Sequence, residues 1–281
     1  MKAETERLAE HTWLKIGGPA EVATPESRSE FVDLLAECHE RGREYRILGG
    51  GSNLLITDAG LDELVIKSTD ACTDFEVDGS EVQVGASMMI PQFVKRCVDD
   101  DLGGYEYLYS VPGTVGGGIY MNAGRGRSYG LTISDHLTGV EVLVDGEVRT
   151  FEKSELQFEH RWSTFHDHDD WVILSATFDM PEQPAEKGNE LIKERMSKVG
   201  ERERGQPNAG SVFKSGSRLP IHKIPPNGLS VDGARFVSGN RVCHDGNATF
   251  DDVYRLVKRA AFLHRIMPPF EKPVIEWEIW Q

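Results

Sequence analysis

Apolar residues alternate or recur along this chain in runs short enough to be read one element at a time. Ser27 and Glu30 form an S-x-x-E cap, and Phe31, Leu34, Leu35 and Cys38 follow at helical spacing until Gly42 ends the run. A short strand is expected before it, around Glu21 to Ala23, and strands after it at Tyr45–Leu48 and Leu54–Ile56. Between Leu64 and Val84 the stretches LVIK, FEV and EVQV read as strands, with Asp78-Gly79 as a hairpin turn. Phe93, Val94, Cys97 and Val98 lie on one face of a helix from about Ile90 to Asp101. Strands at 140–144 and 147–151 flank Asp145-Gly146, and Trp171–Phe178 reads as a strand buried on both faces. Pro181–Gly188, polar and with two prolines, reads as a linker. Helices are expected at 189–199 and 251–262, and a final strand over 273–280. The mixture predicts an α+β protein.

Two glycine-rich segments interrupt this pattern. Tyr109 to Gly124, YSVPGTVGGGIYMNAG, sets five glycines between Val111, Val115, Ile119 and Met121 and has no charge before Arg125. Glycine gives no side chain to bury, so such a cluster implies backbone brought close to something else. A flat, partly anionic cofactor suits it, with Ser110, Thr114 and backbone amides as donors; a tight loop between strands is the plain alternative. The second segment, Gly49-Gly50-Gly51-Ser52-Asn53, follows one strand and leads into another. A Rossmann turn would lead into a helix, so a strand-loop-strand phosphate cradle is expected, or else a simple glycine hairpin.

Composition narrows the classes. A chain of 281 residues with 39% hydrophobic content has room for two or three domains with real cores. A net charge of −15 argues against nucleic acid, which needs a basic face. Cys38, Cys72, Cys97 and Cys243 form no CxxC pair and read as small apolar residues, with no metal expected. There is no apolar run of membrane-spanning length and no signal-like core in MKAETERLAE, so a cytoplasmic protein is expected, and with it a monomer as the simplest state.

Three reactive positions remain. Arg161, in EHRWSTF, has the fork geometry to grip a carboxylate, or could simply pack on Trp162. Ser211 follows Gly210 in NAGSVFKS beside Lys214, a ligand-facing position or an ordinary turn. Glu278 lies between Trp277 and Ile279, where an apolar setting would raise a carboxyl pKa; Glu276 shares its face by period-two spacing.

These segments together carry a family likeness. LGGGSNLL at Leu48–Leu55, VPGTVGGGIYMNAG at Val111–Gly124, HRWSTF at His160–Phe165, QPNAGSVFK at Gln206–Lys214 and GNAT at Gly246–Thr249 stand in the order found in the UDP-N-acetylenolpyruvoylglucosamine reductase (MurB) family of flavoenzymes. The chain resembles the compact subtype of that family from about Thr12 to Trp280. The resemblance implies a two-subdomain FAD-binding unit of the vanillyl-alcohol-oxidase (PCMH) type at 1–66 and 67–182, then an α+β substrate-binding domain at 189–281. It also implies non-covalent FAD, NADPH as hydride donor and a UDP-sugar enolpyruvyl ether as substrate.

Carried over by motif, the resemblance assigns Leu48, Gly49, Gly50, Gly51, Ser52 and Asn53 to the flavin pyrophosphate. It places Ser110, Pro112, Gly113, Thr114, Gly116, Gly117, Tyr120, Asn122, Ala123, Gly124 and Ile133 along the cofactor, and Tyr129 and Lys214 at the substrate. Ser211 becomes the proton donor, and Arg161 with protonated Glu278 stabilises the enolate-like carboxylate that forms as hydride reaches the vinyl carbon. The chain departs from the family pattern at His160, where a tyrosine is usual, at Ser215, where an asparagine is usual, and in the short segment Gly233–Asn247. All three fall in the substrate-facing motifs. They keep a second reading open, an FAD oxidoreductase of the same fold acting on another small molecule; a non-catalytic flavin-binding protein is the third.

Overall fold

The computed structural model describes residues 2–281 apart from 126–129, 200–205, 215–218, 224–227, 269 and 271. In chain order they form strand β1 (Glu4–Arg7), β2 (Pro19–Ala23), helix α1 (Arg28–Arg41), strands β3 (Tyr45–Leu48), β4 (Leu54–Ile56), β5 (Leu64–Lys67), β6 (Phe75–Asp78) and β7 (Glu81–Gly85), and helix α2 (Ile90–Asp99). Helix α3 (Val115–Tyr120) precedes strands β8 (Gly124–Arg125), β9 (Leu131–Thr132), β10 (Leu137–Val144), β11 (Glu147–Glu152), β12 (Phe158–Glu159), β13 (Trp162–Ser163) and β14 (Val172–Asp179). Helix α4 (Ala185–Lys198), strands β15 (Ser230–Val231), β16 (Ala234–Ser238) and β17 (Arg241–His244), helix α5 (Phe250–Ile266) and strand β18 (Glu278–Trp280) follow.

The chain divides into two compact units that do not follow its order. The first comprises Met1–Ala3, Val22–Gly50 and Leu64–Val199; the second comprises Glu4–Glu21, Gly51–Glu63 and Gly200–Gln281. The crossing from first to second falls inside the glycine run, between Gly50 and Gly51.

In the first unit, β5 lies in parallel between β2 and β3, with Ala23 opposite Ile66 and Leu48 opposite Lys67. Helix α1 covers it with the apolar stripe its spacing predicts: Phe31, Leu34, Leu35 and Cys38 pack with Leu64 and Ile66. The Ser27 hydroxyl accepts from the Glu30 amide, and Gly42 closes the helix at φ +60, so both ends follow the expected capping chemistry. An antiparallel sheet in the order β11-β10-β14-β7-β6 forms the other layer. Asp145 and Gly146 both take positive φ in its β10–β11 hairpin, the turn that Asp-Gly supports. Val140, Val142 and Val144 of β10 face the larger core with Phe93 of α2 and Val115 of α3, while Leu143 faces the core under α1. That sheet is therefore covered on both sides.

In the second unit, the meander β15-β16-β17 and α5 enclose Phe213, Phe236, Val253, Leu256 and Trp277. Strand β18 pairs in parallel with β4, placing Glu278 opposite Leu54 and Trp280 opposite Ile56.

Three expectations need correction. The central glycine stretch is not the tight loop between strands that stood as its plain alternative: Val115–Tyr120 is helical, with the Thr114 hydroxyl accepting from the Gly117 amide as its cap. Helix α4 begins at Ala185, so half of the presumed linker is helix. Proline is compatible with a helix start, and Gly188 is bare because a Cβ there would lie 2.7 Å from the Val98 side chain. The final strand is only three residues long, Glu278–Trp280. The preceding segment touches Ser211–Lys214 instead, with Phe213 bridged to Ile275. All four cysteines are buried thiols, and desolvation pushes Cys72 up to about 11 and Cys97 up to about 12, which disfavours the reactive thiolate. Among the described residues no helix is long and apolar enough to cross a membrane.

Candidate functional site

The two glycine segments meet within the first unit. A Cβ atom on Gly50 would lie 2.8 Å from the Gly113 Cα, and one on Gly49 would lie 2.8 Å from the Thr114 hydroxyl. Only bare backbone permits this crossing. Gly113 in turn is fixed by its carbonyl, which accepts from the Ile90 amide at 2.9 Å. Leu48 contributes no side chain to any ligand surface, since it is fully buried, and its carbonyl accepts from Ser68.

The glycines of the central stretch do different jobs. Cβ atoms at Gly116, Gly118 and Gly124 would collide with Ala86, Ile90 and the Leu131 carbonyl, so these three are bare because protein packs on them. Gly117 is exposed, and among the described residues a Cβ there would meet only the Thr114 hydroxyl, at 3.3 Å. Gly117 thus marks the open side of α3. The Ser110 hydroxyl is engaged by Arg195 of α4, whose Nε donates to it at 2.8 Å. Nothing in the local sequence of Arg195 announces that contact. Ile133 is fully buried and donates its amide to the Ala123 carbonyl, fixing the end of the stretch.

Arg161 sits in the same unit, at φ +60 in the two-residue turn between β12 and β13. Its guanidinium donates to the Gly124 carbonyl at 2.7 Å and to the Asn122 carbonyl at 3.4 Å. The Asn122 side chain donates to the Glu159 carbonyl at 2.8 Å, and its own oxygen is buried with no partner. Tyr120 stacks on His166 with ring centroids 4.0 Å apart.

The second unit gathers the remainder. Asn53 donates from its side chain to the Glu276 carbonyl at 3.0 Å, and its carbonyl accepts from the Glu278 amide at 3.0 Å. The Glu276 amide donates to Val212, and Ser211 is bridged to Arg241. Gly51–Asn53, Ser211 and Glu278 therefore lie on neighbouring segments. Gly51 is irreplaceable on two counts, a φ of +61 and a Cβ position 2.0 Å from the His11 carbonyl. Lys214 is half-buried and donates its amide to Val274. Tyr129 and Ser215 lie outside the described residues.

Comparison with known proteins decides the family. The UDP-N-acetylenolpyruvoylglucosamine reductase of Thermus thermophilus is 34% identical over the whole of both chains. This chain belongs to the UDP-N-acetylenolpyruvoylglucosamine reductase family. A reductase of the family from Caldanaerobacter subterraneus is 32% identical and aligns with 90% of this chain and 85% of its own. The crystal structure of the Thermus caldophilus reductase superposes on all of both chains with a TM-score of 0.81 at 32% identity. Residues 19–152 match the family model described as an FAD binding domain, a span that contains both glycine segments. The α+β architecture expected from the sequence is thus that of the reductase family.

The contacts that sequence reading missed in this family member are those that hold Arg161. Ser163 lies inside the HRWSTF motif, yet its role is invisible there because its partner, the Tyr120 carbonyl, is 43 residues away.

Proposed function

We propose that the chain reduces the enolpyruvyl group of UDP-N-acetylglucosamine enolpyruvate to give UDP-N-acetylmuramate, with FAD as non-covalent cofactor and NADPH as reductant. The observation that carries this reading is 34% identity over the full length of a named reductase, joined to glycine segments that cross backbone to backbone. The residues fit the cofactor: Gly49 and Gly50 cross bare against Gly113 and Thr114, which brings the two glycine segments together, and Gly117 leaves one side of α3 open. FAD, when bound, relays hydride from NADPH to the vinyl carbon of the substrate.

Residues 1–66 and 67–182 then serve the cofactor, and 189–281 serve the substrate. Arg161 and a protonated Glu278 offset the charge that develops on the substrate carboxylate. Preorganised donors of this kind contribute about 3 kcal/mol each. Ser211 delivers a proton to the carbon beside that carboxylate while the charge is still developing, because a serine hydroxyl is a weak acid. Lys214 and Tyr129 hold the substrate in this reading. Gly51, Ser52 and Asn53 complete the pyrophosphate loop.

The test is direct. The purified protein should be yellow and should turn over NADPH only when the enolpyruvyl UDP-sugar is supplied. A colourless protein that stays so with added FAD would sink the cofactor assignment. NADPH oxidation that ignores this substrate but responds to another enol ether would favour the second reading.

A further inference from the structure

The turn that presents Arg161 is held by more than its own two hydrogen bonds. Strands β12 and β13 pair through only two residues each, Phe158 with Ser163 and Glu159 with Trp162, too short a hairpin to be stable alone. Its register comes from the Tyr120–Gly124 turn. Three alternate carbonyls of that turn accept from the hairpin: Tyr120 from the Ser163 hydroxyl at 2.6 Å, Asn122 from Arg161, and Gly124 from Arg161. The Asn122 side chain returns a fourth bond to the Glu159 carbonyl. Ser163 has no exposed surface at all, at 0%. Losing its hydroxyl removes this hydrogen bond and frees one end of the hairpin. Both Arg161 and Asn122 stand at positive φ, +60 and +41, conformations that persist only where surrounding contacts impose them.

We propose that Ser163 is a positioning residue for Arg161: its hydrogen bond to Tyr120 fixes the hairpin so that the guanidinium keeps its bonds to the Asn122 and Gly124 carbonyls. The proposal rests on the reading of Arg161 as the group that stabilises the substrate carboxylate. A displacement of about 1 Å at such a group costs on the order of a hundredfold in rate.

The experiment is a double-mutant cycle on the holoenzyme, with Ser163→Ala, Arg161→Ala and the double variant. Two rates are measured: reduction of the bound flavin by NADPH, and its reoxidation by the enolpyruvyl UDP-sugar. A third readout is amide hydrogen exchange across residues 158–163 in flavin-free protein. We expect Ser163→Ala to slow reoxidation by about 10- to 100-fold, to leave reduction by NADPH within about twofold, and to raise exchange in the hairpin. In the Arg161→Ala background the same substitution should change reoxidation by less than about twofold. Ser163→Thr, which keeps the hydroxyl, should restore most of the rate. An equal effect of Ser163→Ala in both backgrounds, with Arg161→Ala itself impaired, overturns the positioning role and leaves the reading of Arg161 intact. Normal reoxidation in Arg161→Ala overturns both. Should the alanine variant fail to fold, Ser163→Cys keeps the volume, weakens the donor and carries the same expectations.

Discussion

A Cβ atom on Gly116 would lie 2.9 Å from that of Ala86, and the Gly116 amide already donates to the Ala86 carbonyl at 2.8 Å. The neighbouring Gly117 is exposed, and among the described residues a Cβ there would meet only the hydroxyl of its own cap, Thr114, at 3.3 Å. Two adjacent glycines in one short helix are bare for different reasons, and alanine separates them. Gly116→Ala should overpack the contact and destabilise the protein by about 1–3 kcal/mol. Gly117→Ala should keep or slightly raise the melting temperature, since alanine gains up to about 1 kcal/mol over glycine in a helix. It should nonetheless lower the FAD content of the purified protein, because the added methyl enters the face that the proposed cofactor site uses. Melting curves and flavin-to-protein absorbance ratios check both; undiminished FAD in Gly117→Ala would remove that face from the site.

Ser211→Ala is expected to divide the catalytic cycle. Reduction by NADPH does not need the proton donor and should stay within about twofold, whereas reoxidation by the enolpyruvyl substrate should slow by about 10²- to 10⁴-fold. Stopped-flow absorbance reads both halves. Equal losses in the two would refute the assignment of Ser211, whose segment is held against Glu276 through Val212.

Much of this was legible in local sequence, and what was not has a common cause. The Ser27 cap, Gly42 and the Asp145-Gly146 turn depend on residues within a few positions of one another, and each is found as expected. The crossing of two glycine segments was also foreseeable, since bare backbone in two places implies a close approach. Helix α3 was not, because three consecutive glycines disfavour a helix by propensity. It forms because Val115 and Ile119 are buried in the large core and Thr114 caps it, so tertiary packing overrides propensity. Arg195 on Ser110 and Ser163 on Tyr120 join residues 85 and 43 positions apart, and no local pattern encodes such pairs.

Acid should loosen the first unit at one identifiable point. Glu141 of β10 accepts from Arg28, the first residue of α1, at 2.9 Å, and from the hydroxyl of Ser175 on β14. The Arg28 hydrogen bond, reinforced by Ser175 and by the Arg28 charge, holds its carboxyl below the usual value of 4.5 despite partial burial. A lowered carboxylate pKa gives stability that is complete above the ordinary value and is lost as pH falls through the folded one. Glu141→Gln should therefore lower the urea midpoint at pH 7, and the gap to the parent should close below about pH 4.5. A gap as large at pH 3 as at pH 7 would mean that the pair contributes by packing and not by charge.

His244 makes the last prediction, in the second unit. It is buried, its Nδ1 accepts from the Gly246 amide at 3.0 Å, and its other ring nitrogen faces the Leu14 carbonyl. An amide donor at Nδ1 requires a lone pair there, so the proton sits on Nε2 and is donated to Leu14. One ring thus ties the end of the β15-β16-β17 meander to a segment more than two hundred residues earlier. His244→Ala removes both bonds, leaves a buried carbonyl and an amide without partners, and should cost about 1–3 kcal/mol. His244→Gln can supply one donor and one acceptor and should recover part of the loss. Urea unfolding followed by tryptophan fluorescence reports on this unit through Trp277, which lies in its core. Midpoints for His244→Ala within error of the parent would show that the Leu14 segment is held by its apolar contacts alone.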